Sequence, residues 1–198
     1  MQRRGDIKRI AIIQGHPDPN GAHFGNLLAQ AYAIAAEAAG HEVRLIDVAK
    51  LGFPFLCNKE DFEHAAPPAS IRRAQEIIHW AEHLVIMYPL WLSAMPALLR
   101  SFFEQTFRPG FAFAYVANGM PKKLLVGKSA RVVVTMGMPA FVYRWLFGAH
   151  GLKSLEGILA FCGIGPITHS LIGAVESPDG RARKKWIAKI QEFGKVGR

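Results

Sequence analysis

Five short apolar runs, each followed by a stretch with helical spacing, constrain the fold of this chain more than any other feature of it. The first, Arg9 to Gln14 (RIAIIQ), is β-branched and stops at turn residues. Phe24 to Ala39 is rich in Ala and Leu and runs up to Gly40, a residue type favoured just past a helix. His41 to Val48 (HEVRLIDV) alternates like a strand, whereas 51–68, with Pro54, Pro67 and Pro68, reads as a long loop. Ser70 is expected to cap an amphipathic helix through His79, with Ile71, Ala74, Ile77 and Ile78 on one face. HLVIMYPL is a buried strand stopping at Pro89, and MPALLRSFFEQTF a helix with Pro96 near its first turn. ARVVVTMG (Ala130 to Gly137), LKSLEGILAFCGI, PITHSLIGAV and SPDGRARKKWIAKIQEFG repeat the strand–helix alternation. Strands this apolar need cover on both faces, which predicts a parallel sheet between two helix layers. Right-handed crossovers favour the doubly wound order 2-1-3-4-5.

A chain of 198 residues suits one domain with one sizeable core, and 51% hydrophobic with 20% charged residues excludes a disordered chain. Apolar runs such as Leu84 to Met87 fall far short of the ~20 residues a bilayer span needs. The basic, then apolar, first residues lack a small-residue cleavage site, so a cytoplasmic protein is expected. Cys57 and Cys162 are far apart in apolar surroundings and are expected to be buried free thiols. The net charge of +9 concentrates at Arg3, Arg4, Lys8 and Arg9 and again from Arg181 to Arg198. Without an aromatic-interleaved basic stripe it reads as a solvated face, not a nucleic-acid surface.

In such a sheet, ligands bind beyond the carboxyl ends of the strands, where the strand order reverses. Three loops meet that condition: Gly15 to His23, Pro89 to Met95 and Thr135 to His150. The first enters a helix N-terminus, where free N–H groups and the helix dipole favour an anion. His16 and His23 could make it a phosphate cradle, a metal site or only a capped turn. A metal needs further ligands, and only Asp18 is near, so the cradle is the favoured reading and no metal is expected. The second loop, YPLWLSAMP, offers a tryptophan where water would be expected, as a plug or as a wall for a flat ring. The third brings Thr135, Gly137, Tyr143 and His150 to one strand end.

GHPDPNGAHF, YPLWLSAMPALLRSFFEQTFRPGFAFAY, TMGMPAFVY and FCGI resemble the NAD(P)H:quinone oxidoreductase family of flavodoxin-like proteins. That family includes the ancillary flavoprotein subunits of bacterial glutathione-gated potassium efflux systems. The resemblance spans Arg9 to Val175 and implies a flavodoxin-like three-layer α/β sandwich. It also implies FMN or FAD as cofactor and NAD(P)H as co-substrate. By this likeness His16, His23 and Phe24 would surround the flavin phosphate or ribityl chain, and Pro89, Leu90, Trp91 and Leu92 would line the isoalloxazine ring. Thr135, Met136, Gly137 and Met138 would form the other wall. Tyr143 and His150 resemble the catalytic pair that stabilises charge on the reduced ring. His23 and Gly25 stand where Ser or Thr and Asn are frequent, and Trp91-Leu92-Ser93 replaces Gln-Trp-Phe.

The implied activity is hydride transfer from NAD(P)H to flavin N5 and on to a quinone-like acceptor. Trp91, Phe113, Tyr143 and Trp145 together would fit a planar acceptor. The resemblance implies a homodimer. Its other branch implies a membrane transporter as partner, and with it a membrane-peripheral location. An electron-transfer flavodoxin is disfavoured because those are typically acidic and this chain is basic.

Overall fold

The computed structural model describes residues 7–21, 23–117, 119–177 and 180–198. Five strands form the parallel sheet: β1 (Arg9–Gln14), β2 (Glu42–Asp47), β3 (His83–Pro89), β6 (Ser129–Thr135) and β7 (Ile167–Ile172). Their order, β2-β1-β3-β6-β7, is the expected 2-1-3-4-5 pattern. β4 (Phe113–Ala114) and β5 (Lys122–Lys123) form a separate two-stranded ribbon that the sequence reading did not anticipate.

The unbroken apolar runs are explained by burial on both sides. Ala11 and Ile13 of β1, Leu84 and Ile86 of β3, and Val132 and Val134 of β6 face one core. It is closed by α3 (Ala69–Trp80), α4 (Ala97–Thr106) and α5 (His150–Phe161). Ile10, Ile12, Val85, Met87 and Val133 face the second core, under α1 (Phe24–Ala38) and α6 (Gly180–Lys195). Arg131 is the polar interruption of β6. Its guanidinium lies 3.6 Å from the Phe193 ring centre and donates to Ser170 Oγ at 3.1 Å.

Gly194 sets how closely α1 and α6 approach, since a Cβ there would lie 2.5 Å from the Tyr32 carbonyl oxygen. Gly194→Ala must therefore separate two backbones, at a cost of roughly 1–3 kcal/mol. Chemical denaturation should show that loss with an unchanged slope.

Several expectations are corrected. The segment 51–68 holds a short helix, α2 (Lys59–Glu63), because Asn58 caps it by accepting from the Asp61 N–H at 2.7 Å. The buried Arg108 guanidinium fixes this segment by donating to the carbonyls of Asp61, Phe62 and Ala65. Ser70 is not the cap of α3. Pro68 holds that position, and Ser70 Oγ donates instead to the Gly52 carbonyl. Cys57 is exposed, because the chain around it lies on the surface, while Cys162 is buried as expected. The third loop contains one π-helical turn, Val142–Leu146, and α5 starts at His150, two residues before the expected Leu152. Arg3 and Arg4 lie outside the described residues. Among the described residues no helix is long and apolar enough to cross a membrane.

Candidate functional site

The order reverses between β1 and β3, and the loops leaving those two strands converge there. Gly15 N–H donates to the Met87 carbonyl at 2.7 Å, and the loop then turns through His16. Gln14 Oε1 accepts the His16 N–H at 3.1 Å, and His16 Nδ1 accepts the Asp18 N–H at 3.1 Å. With Nδ1 an acceptor, the neutral ring carries its proton on Nε2. Burial, reinforced by the neighbouring His23, lowers the His16 pKa, and Asp18 offsets only part of this.

His23 immediately precedes α1 and its ring stacks on that of His16, with centroids 3.7 Å apart and planes 13° from parallel. Asp18 Oδ2 lies 2.7 Å from His23 Nε2. The backbone N–H of Asn20 and then His23 hold the Asp18 carboxyl below its ordinary pKa. Among the described residues no side chain caps α1 and its first turn holds no acidic residue, so its first N–H groups remain open to an anion. Gln14 Nε2 is buried beside Gly25 and has no partner among the described residues. A buried amide donor left unpaired costs roughly 1–3 kcal/mol, so it marks a place where an acceptor fits.

The second loop folds over the first, and the Trp91 ring stands edge-on to His16 at 6.2 Å. Trp91 and Ala94 exchange N–H···O bonds of 2.9 Å in both directions, closing a tight turn. Leu92 and Ser93 in its centre have φ of 47° and 63°, the left-handed region that side chains rarely adopt. Two groups press this turn into place from behind. A Cβ on Gly151 would lie 2.3 Å from the Ser93 carbonyl oxygen, so only glycine fits. The buried Tyr143 hydroxyl accepts the Leu152 N–H at 3.0 Å and donates weakly to the Ser93 carbonyl at 3.5 Å. Burial raises the Tyr143 pKa, so the phenol stays neutral and can donate.

On the far side, Leu90 N–H donates to the Thr135 carbonyl at 2.7 Å, tying the second loop to the third. Thr135 and Met136 bury their side chains, while Gly137 is exposed and Met138 half-buried. Gly173 holds the third loop closely, since a Cβ there would meet Ala140 N at 2.3 Å. His150 starts α5 with an exposed side chain.

Of the expected site residues, His16, His23 and Trp91 meet where the first two loops adjoin, while Phe24 is buried at the start of α1 and Leu92 is fully exposed on the turn. Pro89 ends β3 and Leu90 follows it, bonded to the Thr135 carbonyl, while Met136 packs into the core and Gly137 is exposed. The acceptor wall expected from Trp91, Phe113, Tyr143 and Trp145 is not assembled. Phe113 packs on Phe161 at 5.0 Å, and Trp145 lines a cavity near Trp186. Gln14, Asp18 and Gly151 were not among the expected residues. Only Gln14, a polar residue ending an apolar strand, left a readable signal. Arg183 was missed too. It lies 4.8 Å from the Phe24 ring centre and lines an open cavity of about 450 Å³ with His23, Asn26 and Gln30.

The order reversal with its uncapped helix N-terminus agrees with the comparisons to known proteins. A family model described as flavodoxin-like fold matches residues 8–193. The chain belongs to the flavodoxin-like fold family. Within that family it is 28% identical over 184 residues to an uncharacterised NAD(P)H oxidoreductase of Haemophilus influenzae, covering 89% of each chain. It is 27% identical over 183 residues to NAD(P)H dehydrogenase [quinone] 1 of Cavia porcellus, covering 79% of this chain and 65% of that one. Shorter matches link it to FMN-dependent NADH:quinone oxidoreductase 3 of Pseudomonas aeruginosa (33% over 96 residues, 48% of this chain and 43% of that one). Another reaches the potassium-efflux ancillary protein KefG of Serratia proteamaculans (32% over 89 residues, 45% of each). Among solved structures, NAD(P)H:quinone oxidoreductase from Methanothermobacter marburgensis superposes with a TM-score of 0.78 at 21% identity, over 98% of this chain and 100% of that one.

Proposed function

We propose that this protein is a flavin-dependent NAD(P)H:quinone oxidoreductase. The observation that carries the reading is the orphaned Gln14 amide beside an uncapped helix N-terminus, roofed by His16, His23 and Trp91. These groups fit a flavin phosphate with an aromatic ring beyond it, and relatives over most of the chain are named as NAD(P)H oxidoreductases. A bound flavin would supply the two-electron redox chemistry, accepting hydride from NAD(P)H and delivering it to a quinone.

The chain's own residues bind and orient. His16 Nε2–H and the first amides of α1 hold the phosphate, while Asp18 orients the His23 ring on its other side. The Trp91–Leu92 backbone and the Thr135 to Met138 segment flank the ring, and Trp91 shields it from water. Tyr143, kept neutral by burial, gives its one proton to the Ser93 carbonyl, so it acts by holding the turn behind the ring and not as the charge-stabilising donor that the resemblance implied. His150, exposed at the start of α5, is left as the side chain that would stabilise charge on the reduced ring. His150→Gln should lower kcat without changing bound flavin, whereas Tyr143→Phe, which frees the Ser93 carbonyl and the Leu152 N–H, should weaken flavin binding as the turn loosens.

His16→Ala removes one charge-assisted contact, worth about 1.5–3 kcal/mol, so flavin should bind roughly tenfold to a hundredfold more weakly. Titrating apoprotein with FMN and with FAD tests this and the choice of cofactor together. The Arg183 cavity beside the cradle is the space that separates the two: tighter FAD binding means an AMP moiety fills it, and equal binding means it does not. Turnover of NADH or NADPH with a soluble quinone tests the activity, and absence of flavin binding would refute the whole reading.

The exposed Trp91, Leu92 and Leu146 favour a homodimer that covers this face, which sedimentation would detect. The KefG likeness supports a second reading, a flavoprotein subunit of a potassium efflux system. Co-purification with the transporter's cytosolic domain would favour it over a free-standing enzyme.

A further inference from the structure

A second cavity, of about 350 Å³, opens at the free edge of the sheet between the π-helical turn, β7 and α6. Phe141, Trp145 and Trp186 give it flat apolar walls, and Arg144, Lys189 and His169 give it polar ones. Among the described residues lining it, none is acidic. Lys189 Nζ lies 4.7 Å from the Trp186 ring centre and the Arg144 guanidinium 5.5 Å from that of Trp145, so each cation is stationed beside an indole. Glu156 Oε1 binds His169 Nδ1 at 2.9 Å, which leaves Nε2 as the ring's remaining polar atom. Aromatic faces interleaved with cations suit a ligand that is both planar and anionic, a combination that a nucleoside phosphate supplies. A simple anion would leave the indoles without a purpose, and a neutral ring would leave the cations without one.

The cavity adjoins the flavin site through the third loop. Ala140 lines the cavity and Met138 belongs to the expected ring wall. With consecutive Cα atoms ~3.8 Å apart, the two residues lie within about 8 Å of each other. Gly173 locks that connection, because its missing Cβ lets the chain leaving β7 approach Ala140 N and the Met138 carbonyl directly. A dinucleotide with its nicotinamide over the ring could therefore extend its other half along this loop.

We propose that this cavity takes the adenosine-phosphate end of the dinucleotide that reduces the flavin. The inference rests on the reductase reading for the identity of its ligand, and on the cavity's own chemistry for the nucleotide class. Arg144 and Lys189 are exposed and take no part in the flavin site, so both can be changed without touching it.

The test is the double variant Arg144→Ala/Lys189→Ala, assayed with NADPH or NADH and with an N-alkylated dihydronicotinamide that lacks the adenosine phosphate. The expected result is a roughly tenfold higher KM for the dinucleotide, with kcat, flavin content and the KM for the truncated donor unchanged. ADP and 2′,5′-ADP titrated into wild-type protein should release heat and quench tryptophan fluorescence, and both signals should vanish in the double variant. An unchanged dinucleotide KM, or an equal rise for both donors, would overturn the proposal. If no dihydronicotinamide is turned over, the reductase reading fails and the ADP titration alone judges the cavity. Binding abolished by the double substitution then sustains a nucleotide site, and binding absent or unaltered removes it.

Discussion

Gly151→Ala should strip flavin from this protein, whereas Gly157→Ala, further along the same helix, should stabilise it. The contrast follows from what a methyl group meets at each place. At Gly151 it would lie 2.3 Å from the Ser93 carbonyl oxygen and 2.6 Å from Ala94 Cα, both backbone atoms that no rotamer change can move aside. The turn they belong to is already strained at Leu92 and Ser93, which have positive φ, and it carries Trp91 against His16. Displacing it costs roughly 1–3 kcal/mol of overpacking and moves the proposed ring wall with it. A loss of at least about 1.4 kcal/mol in flavin binding, tenfold in Kd, is expected. At Gly157 nothing lies within 4 Å of the added atom. Alanine there only removes the entropy cost of a helical glycine, a gain of about 0.4–1 kcal/mol. Flavin titrations and thermal unfolding of both variants measure the contrast. Equal flavin affinity in Gly151→Ala would show that the turn moves freely and is not held by α5.

Acidification should destabilise the protein steeply between about pH 6.5 and pH 3, and His83 should account for most of the slope. This residue begins β3 at the opposite pole of the sheet and is 3% exposed. Its Nδ1 lies 2.8 Å from Ser129 Oγ, and its Nε2 is buried without a partner among the described residues. Burial first, and then the charges of Lys8, Arg131 and His41, push its pKa from 6.5 down to about 3. The unfolded chain therefore binds a proton at His83 over a range in which the folded chain refuses it. Stability conferred by neutral His83 is complete above pH ~6.5 and falls as pH drops toward the folded value. At ~1.36 kcal/mol per unit, the loss is roughly 2–3 kcal/mol by pH ~4.5 and roughly 4 kcal/mol at pH ~3. His16, also lowered, acts in the same direction but is only partly buried. Glu82 and Asp18 have depressed pKa values too, and their contributions fade only below their ordinary values of 4.5 and 3.8. The window from pH 6.5 to 4.5 therefore isolates the histidines. His83→Phe should flatten it in urea denaturation across that range. An unchanged slope in that variant would assign the acid sensitivity elsewhere.

What the sequence made legible follows its physics. The sheet order was readable because burial on both faces leaves Ile10 to Ile13 and Leu84 to Met87 without polar interruptions, and because parallel strands need crossovers. The three loops were readable because ligand sites in such sheets lie at a fixed pole. The short helix α2 was hidden because its stability comes from one local cap, Asn58, and from the distant Arg108. Ser70 looked like a cap by type, but the Pro67-Pro68 pair had already set the helix start. Cys57 misled because its apolar neighbours in sequence are surface residues in space. Within the site, the histidines were visible as residue types, yet their parallel stack and the Asp18 contact depend on backbone turns that no spacing rule encodes. Gly151 and Arg183 come from helices remote in sequence, so only the folded structure brings them to the loops they support.

The central claim is that the His16–His23–Trp91 junction holds a flavin that NAD(P)H reduces. Anaerobic addition of NADH or NADPH to the flavin-loaded protein, followed by a quinone, tests it most directly. The account predicts stoichiometric bleaching of the oxidised flavin's visible band and its full return on adding the quinone, with His16→Ala protein losing flavin before either step. A band that stays oxidised with both dinucleotides, in protein shown to hold one flavin per chain, would contradict it.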